Sequence, residues 1–232
     1  MAWVRLFVVE YCTFNSQANY NATKTAEGYM QGGLGAGVST INSTAWSNFN
    51  GYNPFVPCGV TKRLGNSTGV VTYKFEAEEF TTTAVEVSVP SYRGIENPFG
   101  HIWKWTDGVN IYCDGETQKS TIYTCDDITK FADNTSTDYV LRTADCYQGA
   151  NGYIKDWLID ENADFLPLSK GGSAASYLYD YSWFNNTGWR VLYSGGAASV
   201  GTACGLFCFH ANRGSSVADA AIGGRLYYTP SE

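Results

Sequence analysis

The stretch "GGAASVGTACGLFCFHANRGSSVADAAIGGRL", residues 195–226, decides how this chain is read. Paired glycines frame it. Between them Val, Cys, His, Arg and Asp follow one another without converging on one chemistry. A strand sends successive side chains to opposite faces. The odd positions Ala203, Gly205, Phe207, Phe209 and Ala211 form a small-and-aromatic series suited to packing inward. The even positions Thr202, Cys204, Leu206, Cys208, His210 and Asn212 are a mixture. A second alternation sets Ala218, Ala220 and Ile222 against Val217, Asp219 and Ala221. The expectation is a pair of strands, each with one uniform buried face and one arbitrary outer face.

Composition sets the surroundings. The chain has 232 residues, among them 25 Gly, 7 Trp, 17 Tyr and 12 Phe. Many glycines and aromatics with few charges point to short strands, many turns and a loop-rich mixed fold. No linker or internal repeat divides the sequence, so one domain over 1–232 is expected. The net charge of -7 and sequence pI near 4.8 argue against nucleic-acid binding, which needs a basic footprint. No apolar run is long enough for a transmembrane helix, and no membrane insertion is expected. The opening "MAWVRLFVVEYCTFNSQ" lacks the pattern of a signal peptide, and the natural chain is expected to extend further upstream. The 7 cysteines are an odd count, no CxxC occurs and only 2 His are present, so no metal site is expected. Reduced, buried cysteines and assembly in a reducing cytoplasm fit this pattern. The Asn-x-Ser/Thr triplets at Asn21, Asn42 and Asn66 read as polar loop sequence.

Near the N-terminus, Val4, Phe7, Val8 and Tyr11 suit one face of a helix, whereas strict alternation suits a strand; the helix is preferred. Residues 28–59 should form a long loop region pinned by Tyr29, Trp46, Phe49, Tyr52 and Phe55. "GVVTYKFEAEEFTTTAVEVSVP" reads as strand material, with "EAEE" a solvated face. In "FGHIWKWTDGVNIYC", His101, Trp103 and Trp105 share one face, and Asp107-Gly108 signals a tight turn. "STIYTCDD" reads as a further strand, across which Cys113 and Cys125 either face each other or pack side by side. Asp156, Asp160, Glu161 and Asp164 lack the spacing of a calcium loop and read as surface.

Several of these segments carry a resemblance. "WRVLYSGG" (189–196), "GLFCFHANRGSS" (205–216) and "ADAAIGGRL" (218–226) resemble the C-terminal variable region of proteins diversified by diversity-generating retroelements. Those proteins share a C-type lectin fold related to the formylglycine-generating enzyme. Upstream, "EGYMQGGLGAGVST" (27–40), "NGYNPFVPCG" (50–59) and "RGIENPFGHIWKWTDGVNI" (93–111) resemble variable and tail-associated proteins of phages from gut Bacteroides. The resemblance implies an α+β C-type lectin fold with short antiparallel strands and few helices, and a variable region over about 191–226.

In that family an error-prone reverse transcriptase randomises template adenines, commonly in Asn codons such as AAC. The products never include Lys, Glu, Gln, Met or Trp, and none of these occurs from Val191 to Leu226. The resemblance implies variable, ligand-binding positions at Tyr193, Ala197, Ser199, Val200, Ala203, His210, Asn212, Arg213, Val217, Asp219 and Ala221. It implies a constant frame at Gly195, Gly196, Gly201, Gly205, Phe207, Ser215, Ser216, Ile222, Gly223, Gly224 and Arg225, the last a buried structural cation. Cys204 and Cys208 are assigned to neither set.

The function implied is a non-enzymatic receptor-binding module of a phage tail, assembled in the bacterial cytoplasm and carried in the virion, or a bacterial cell-surface protein. Its partner would be a host cell-surface receptor, protein or glycan, with a homotrimer compatible with fibre-tip assembly. No cofactor is expected. Tyr193, His210 and Arg213 would be the anchors, with Tyr179, Tyr181, Trp183 and Phe184 as an aromatic rim or as core. A formylglycine-generating-type oxidase on Cys204 and Cys208, and a fixed structural virion protein, are the alternatives. With His101 read as a packed histidine, no hydrolase triad suggests itself.

Overall fold

The computed structural model describes residues 2–41, 56–75, 85–147, 151–159, 165–175, 180–184 and 187–224. The expectations for Asn42, Trp46, Phe49, Tyr52, Phe55, the "EAEE" run, Asp160, Glu161, Asp164, Tyr179 and Arg225 lie outside these residues. The fold is mostly β-sheet with one helix and long irregular connections, consistent with α+β.

Helix α1 (Ala2–Tyr11) forms where apolar side chains recur at helical spacing. Val4, Phe7 and Tyr11 are buried, while Leu6 and Val9 on the opposite side are exposed. Phe7 stacks on Tyr11 at 4.5 Å and meets the edge of Tyr92 at 5.7 Å. The strands β1 (Tyr20–Lys24) and β2 (Met30–Gly32) form an antiparallel ribbon. Tyr29, expected to pin the glycine-rich loop, is 46% exposed. Its neighbour Met30 points the other way and, with Leu34, enters the core under α1.

A small antiparallel sheet follows, β3 (Gly69–Phe75), β4 (Val85–Tyr92) and β5 (Ile95–Glu96). The Glu96 carboxylate accepts hydrogen bonds from the Gly59 amide at 2.7 Å, the Thr61 amide at 2.6 Å and the Thr61 hydroxyl at 2.7 Å. These charge-assisted bonds fasten the preceding loop to the sheet.

The remaining strands are β6 (Trp103–Asp114), β7 (Lys119–Thr124), β8 (Val140–Tyr147), β9 (Gly152–Ile159), β10 (Phe165–Lys170), β11 (Tyr181–Trp183), β12 (Gly188–Gly195), β13 (Gly205–His210) and β14 (Ile222–Gly223). They form one sheet in the order β10-β9-β11-β13-β12-β6-β7-β8, with β14 alongside β6. Pairing is antiparallel except between β11 and β13 and between β14 and β6. The sheet curls into a half-barrel. Ile111, Ile122, Cys146, Leu166, Leu192 and Phe209, drawn from strands along its whole width, meet in one buried cluster on the concave side. Curling brings the two ends together, and the Cys146 thiol of β8 contacts the Pro167 carbonyl of β10.

The Asp107-Gly108 pair does not close a hairpin. It lies within β6 as a bulge: Thr106 is opposite Leu192, Asn110 is opposite Val191, and Asp107, Gly108 and Val109 have no counterpart on β12. Gly108 has φ 75°, and its carbonyl accepts from the Cys125 amide at 2.8 Å. A side chain there would put Cβ 2.5 Å from the Cys125 carbonyl oxygen and 2.9 Å from the Phe131 ring. The glycine is thus needed for close approach of the β7–β8 connection, not for a reversal.

Cys113 pairs with Ser120, whereas Cys125 follows the far end of β7, so the two thiols do not face each other. All seven cysteines are free; Cys12 and Cys58 are exposed and the others buried. Among the described residues no helix is long and apolar enough to cross a membrane.

Candidate functional site

The convex side of the curled sheet carries a row of rings. Trp105 of β6 is opposite Tyr193 of β12, Tyr193 is opposite His210 of β13, and His210 is opposite Trp183 of β11. Directly opposed residues on neighbouring strands lie close enough for their side chains to pack. Tyr193 and His210 stack at 4.1 Å, His210 and Trp183 stack at 5.2 Å, and Trp105 meets Tyr193 edge-on at 5.2 Å. Trp103 closes the cluster edge-on to His210 at 4.9 Å.

Burial fixes the electrostatics of this row. The Tyr193 hydroxyl lies 3.2 Å from His210 Nε2, while His210 Nδ1 is buried without a hydrogen-bond partner. Burial, aided by the Arg213 charge, pushes the His210 pKa down to about 3, so the ring is neutral at physiological pH. Burial also raises the Tyr193 pKa.

Two loops cover the row. The first, 196–204, leaves β12 through Gly195 and Gly196 at φ 88° and 81°, which turn the chain out of the sheet. The second, 211–221, returns from β13 to β14, and the Ala221 carbonyl accepts from the Trp103 amide at 2.7 Å. Val200 of the first loop and Ala221 and Ile222 near the end of the second pack on the same cluster, with Trp103, Tyr193, Ala197 and Cys208.

The residues expected to bind ligand therefore divide. Ser199, Arg213 and Asp219 are exposed, and Val200, Ala203, Asn212, Val217 and Ala221 are half-buried, all in the two loops. Arg213 and Asp219 approach to 4.0 Å. Tyr193, Ala197 and His210 are buried, at 1%, 2% and 8% exposure. The outer face expected of the 203–212 strand is absent: every residue of β13 is buried, Cys208 in the cluster beneath the two loops and Leu206 in the core under α1. The second alternation, 217–222, is likewise mostly irregular, with only Ile222–Gly223 paired to β6. Of the anticipated rim, Tyr181 and Trp183 are half-buried in the row's extension and Phe184 is concave core.

Sequence reasoning passed over Asp180. It is fully buried beside β13, and its carboxylate accepts from the Phe207 amide at 2.6 Å and from the Cys208 amide. Burial raises its pKa well above the carboxylate range. The close approach of Gly205 to this carboxylate leaves no room for a Cβ. No sequence signal marks Asp180, since its role depends on a strand that arrives later in the chain. Cys204 and Cys208 lie in the same interior, their thiol pKa values raised chiefly by burial. Cys204 donates to the Ala197 carbonyl at 3.2 Å.

Beside the row, where β6 bulges, a cleft of about 780 Å³ opens. Trp105, Phe131 and Tyr139 contribute rings to it, and Asp107 and Asp133 contribute carboxylates. Asn110 donates from its amide to the carbonyls of Ala132 at 2.7 Å and Thr135 at 2.9 Å, and the Tyr139 hydroxyl donates to Ala132 at 3.0 Å. These bonds pre-form the wall made by the β7–β8 connection. Ser215 touches the cleft from the second loop.

Among the described residues no group of three or more His, Cys, Asp or Glu side chains is placed to hold a metal. Comparison of the chain with protein-family models, with curated proteins and with solved structures finds no match.

Proposed function

We propose that this chain is a binding protein of C-type lectin fold whose C-terminal loops are the diversified, receptor-contacting surface, serving in phage tail attachment. One observation carries the reading. Ser199, Val200, Ala203, Asn212, Arg213, Val217, Asp219 and Ala221 all fall in two loops outside the strands, and both loops rest on one aromatic row.

The physical logic is a division of labour. The stacked row and the curled sheet hold the loop ends in place. Loop residues that point to solvent can change with little effect on stability, generally within about 0.5 kcal/mol. In this variant Arg213 is the exposed candidate anchor; Tyr193 and His210 support the surface from beneath. The deep burial and raised pKa values of Cys204 and Cys208 favour binding over thiol-based oxidation, which needs an accessible thiolate.

Deep sequencing of the gene in its source population, with its flanking DNA, tests the reading. The expected result is substitution concentrated in codons for the two loops, with a nearby adenine-bearing template repeat and a reverse transcriptase gene. A uniform sequence without a template would refute diversification and leave a fixed virion protein as the better account.

A further inference from the structure

We propose that the cleft at the β6 bulge is a binding site for a small organic cation, an alkylammonium bearing apolar substituents. The cleft, about 780 Å³, falls within the size range of small-molecule sites. Its described lining is acidic and aromatic. Asp107 and Asp133 line it, no Lys, Arg or His is among its described lining, and neither carboxylate has a hydrogen-bond or ion-pair partner among the described residues. Trp105, Phe131 and Tyr139 share that lining with the two aspartates. Aromatic faces attract cations through their quadrupole, and adjacent carboxylates add direct charge attraction.

The site is built before any ligand arrives. Gly108 lets the β7–β8 connection approach β6, and buried Asn110 ties that connection down with two hydrogen bonds. Pre-organisation of this kind lowers the entropic cost of binding. The proposal does not rest on diversification of the C-terminal loops: the rings and carboxylates all come from residues 105–139.

Titration calorimetry of the whole protein tests it. The probes are choline, benzyltrimethylammonium and 3,3-dimethylbutan-1-ol, the neutral isostere of choline. Saturable binding of the cations is expected, with binding of the alcohol at least about tenfold weaker. The doubly substituted Asp107→Asn, Asp133→Asn protein should lose about tenfold or more in affinity while keeping its melting temperature. Phe131→Leu should weaken the cations as well, and Ser199→Ala with Val217→Ala should leave binding unchanged. Absence of saturation by either cation overturns the proposal. So does equal binding of the neutral alcohol, or an unaltered affinity in the doubly substituted protein.

Discussion

Tyr193 and His210 stand opposite each other on β12 and β13, rings stacked at 4.1 Å and the phenol oxygen 3.2 Å from Nε2. The pair joins the middle of the sheet to both covering loops, and its burial makes folding sensitive to acid. The His210 pKa is depressed to about 3 in the fold against 6.5 for a free imidazole. Stability is therefore fully present above about pH 6.5 and is lost progressively as pH falls toward 3, because only the unfolded chain binds the proton readily. His210→Phe should flatten this slope between pH 6.5 and 4, while costing about 1 kcal/mol at pH 8 for the lost Tyr193 partner. Urea denaturation across that pH range reads both effects; an unchanged slope would show that His210 is not the titrating group.

Buried and exposed members of the expected binding set should part company on substitution. Tyr193→Ala removes a fully buried ring and should cost about 3–5 kcal/mol. Substitution of Ser199, which is exposed, should stay within about 0.5 kcal/mol. Equal losses at Tyr193 and Ser199 in chemical denaturation would contradict the division between row and loops.

Two glycines of the 195–226 segment should respond unequally to alanine. At Gly201 a Cβ meets nothing within 4 Å, and only its φ of 63° is unfavourable, which costs about 1 kcal/mol. At Gly205 the Cβ collides with the Asp180 carboxylate that holds the amides of Phe207 and Cys208. Gly205→Ala should cost more than twice as much as Gly201→Ala, measured as the shift in urea midpoint at constant slope.

Thiol reactivity should follow burial. Cys12 and Cys58 are exposed and should react rapidly with an alkylating reagent in the native protein. Cys113, Cys204 and Cys208, buried and with raised pKa values, should react only on unfolding. Mass spectrometry of the labelled chain locates the sites. Rapid native labelling of Cys204 or Cys208 would revive the oxidase alternative.

Asn110→Ala should loosen the cleft wall without unfolding the sheet. Its amide is the donor to both Ala132 and Thr135. Hydrogen exchange should accelerate over 130–139 and remain slow in β12 and β13, with a global cost of about 1–3 kcal/mol.

Local pattern was enough for several elements. The spacing of Val4, Phe7, Val8 and Tyr11 marks α1, because helical periodicity repeats within a few residues. The strand-forming residues of 69–90 and 120–127 mark β3, most of β4 and most of β7, because β-branched and aromatic side chains favour the pleated backbone locally. The paired glycines at 195–196, read as a frame, lie where the chain leaves β12. Asp107-Gly108 was a true signal given the wrong geometry: an Asp-Gly pair reports a glycine-dependent bend, and a bulge meets that requirement as well as a hairpin does.

By itself the sequence determined the helix, the strand-rich character and the acidic charge, all of which depend on composition or neighbours along the chain. Tertiary structure alone decided which face of β13 is outside. Alternation distinguishes two faces of a strand but carries no information about what later covers them, and here both are buried. It also decided that Tyr193, Ala197 and His210 lie beneath the surface while Ser199, Arg213 and Asp219 lie on it. Asp180 and Asn110 acquired their roles in the same way, through contacts with backbone 27 and 22 residues away. Such contacts exist only once distant segments have been brought together, so no local pattern in the chain records them.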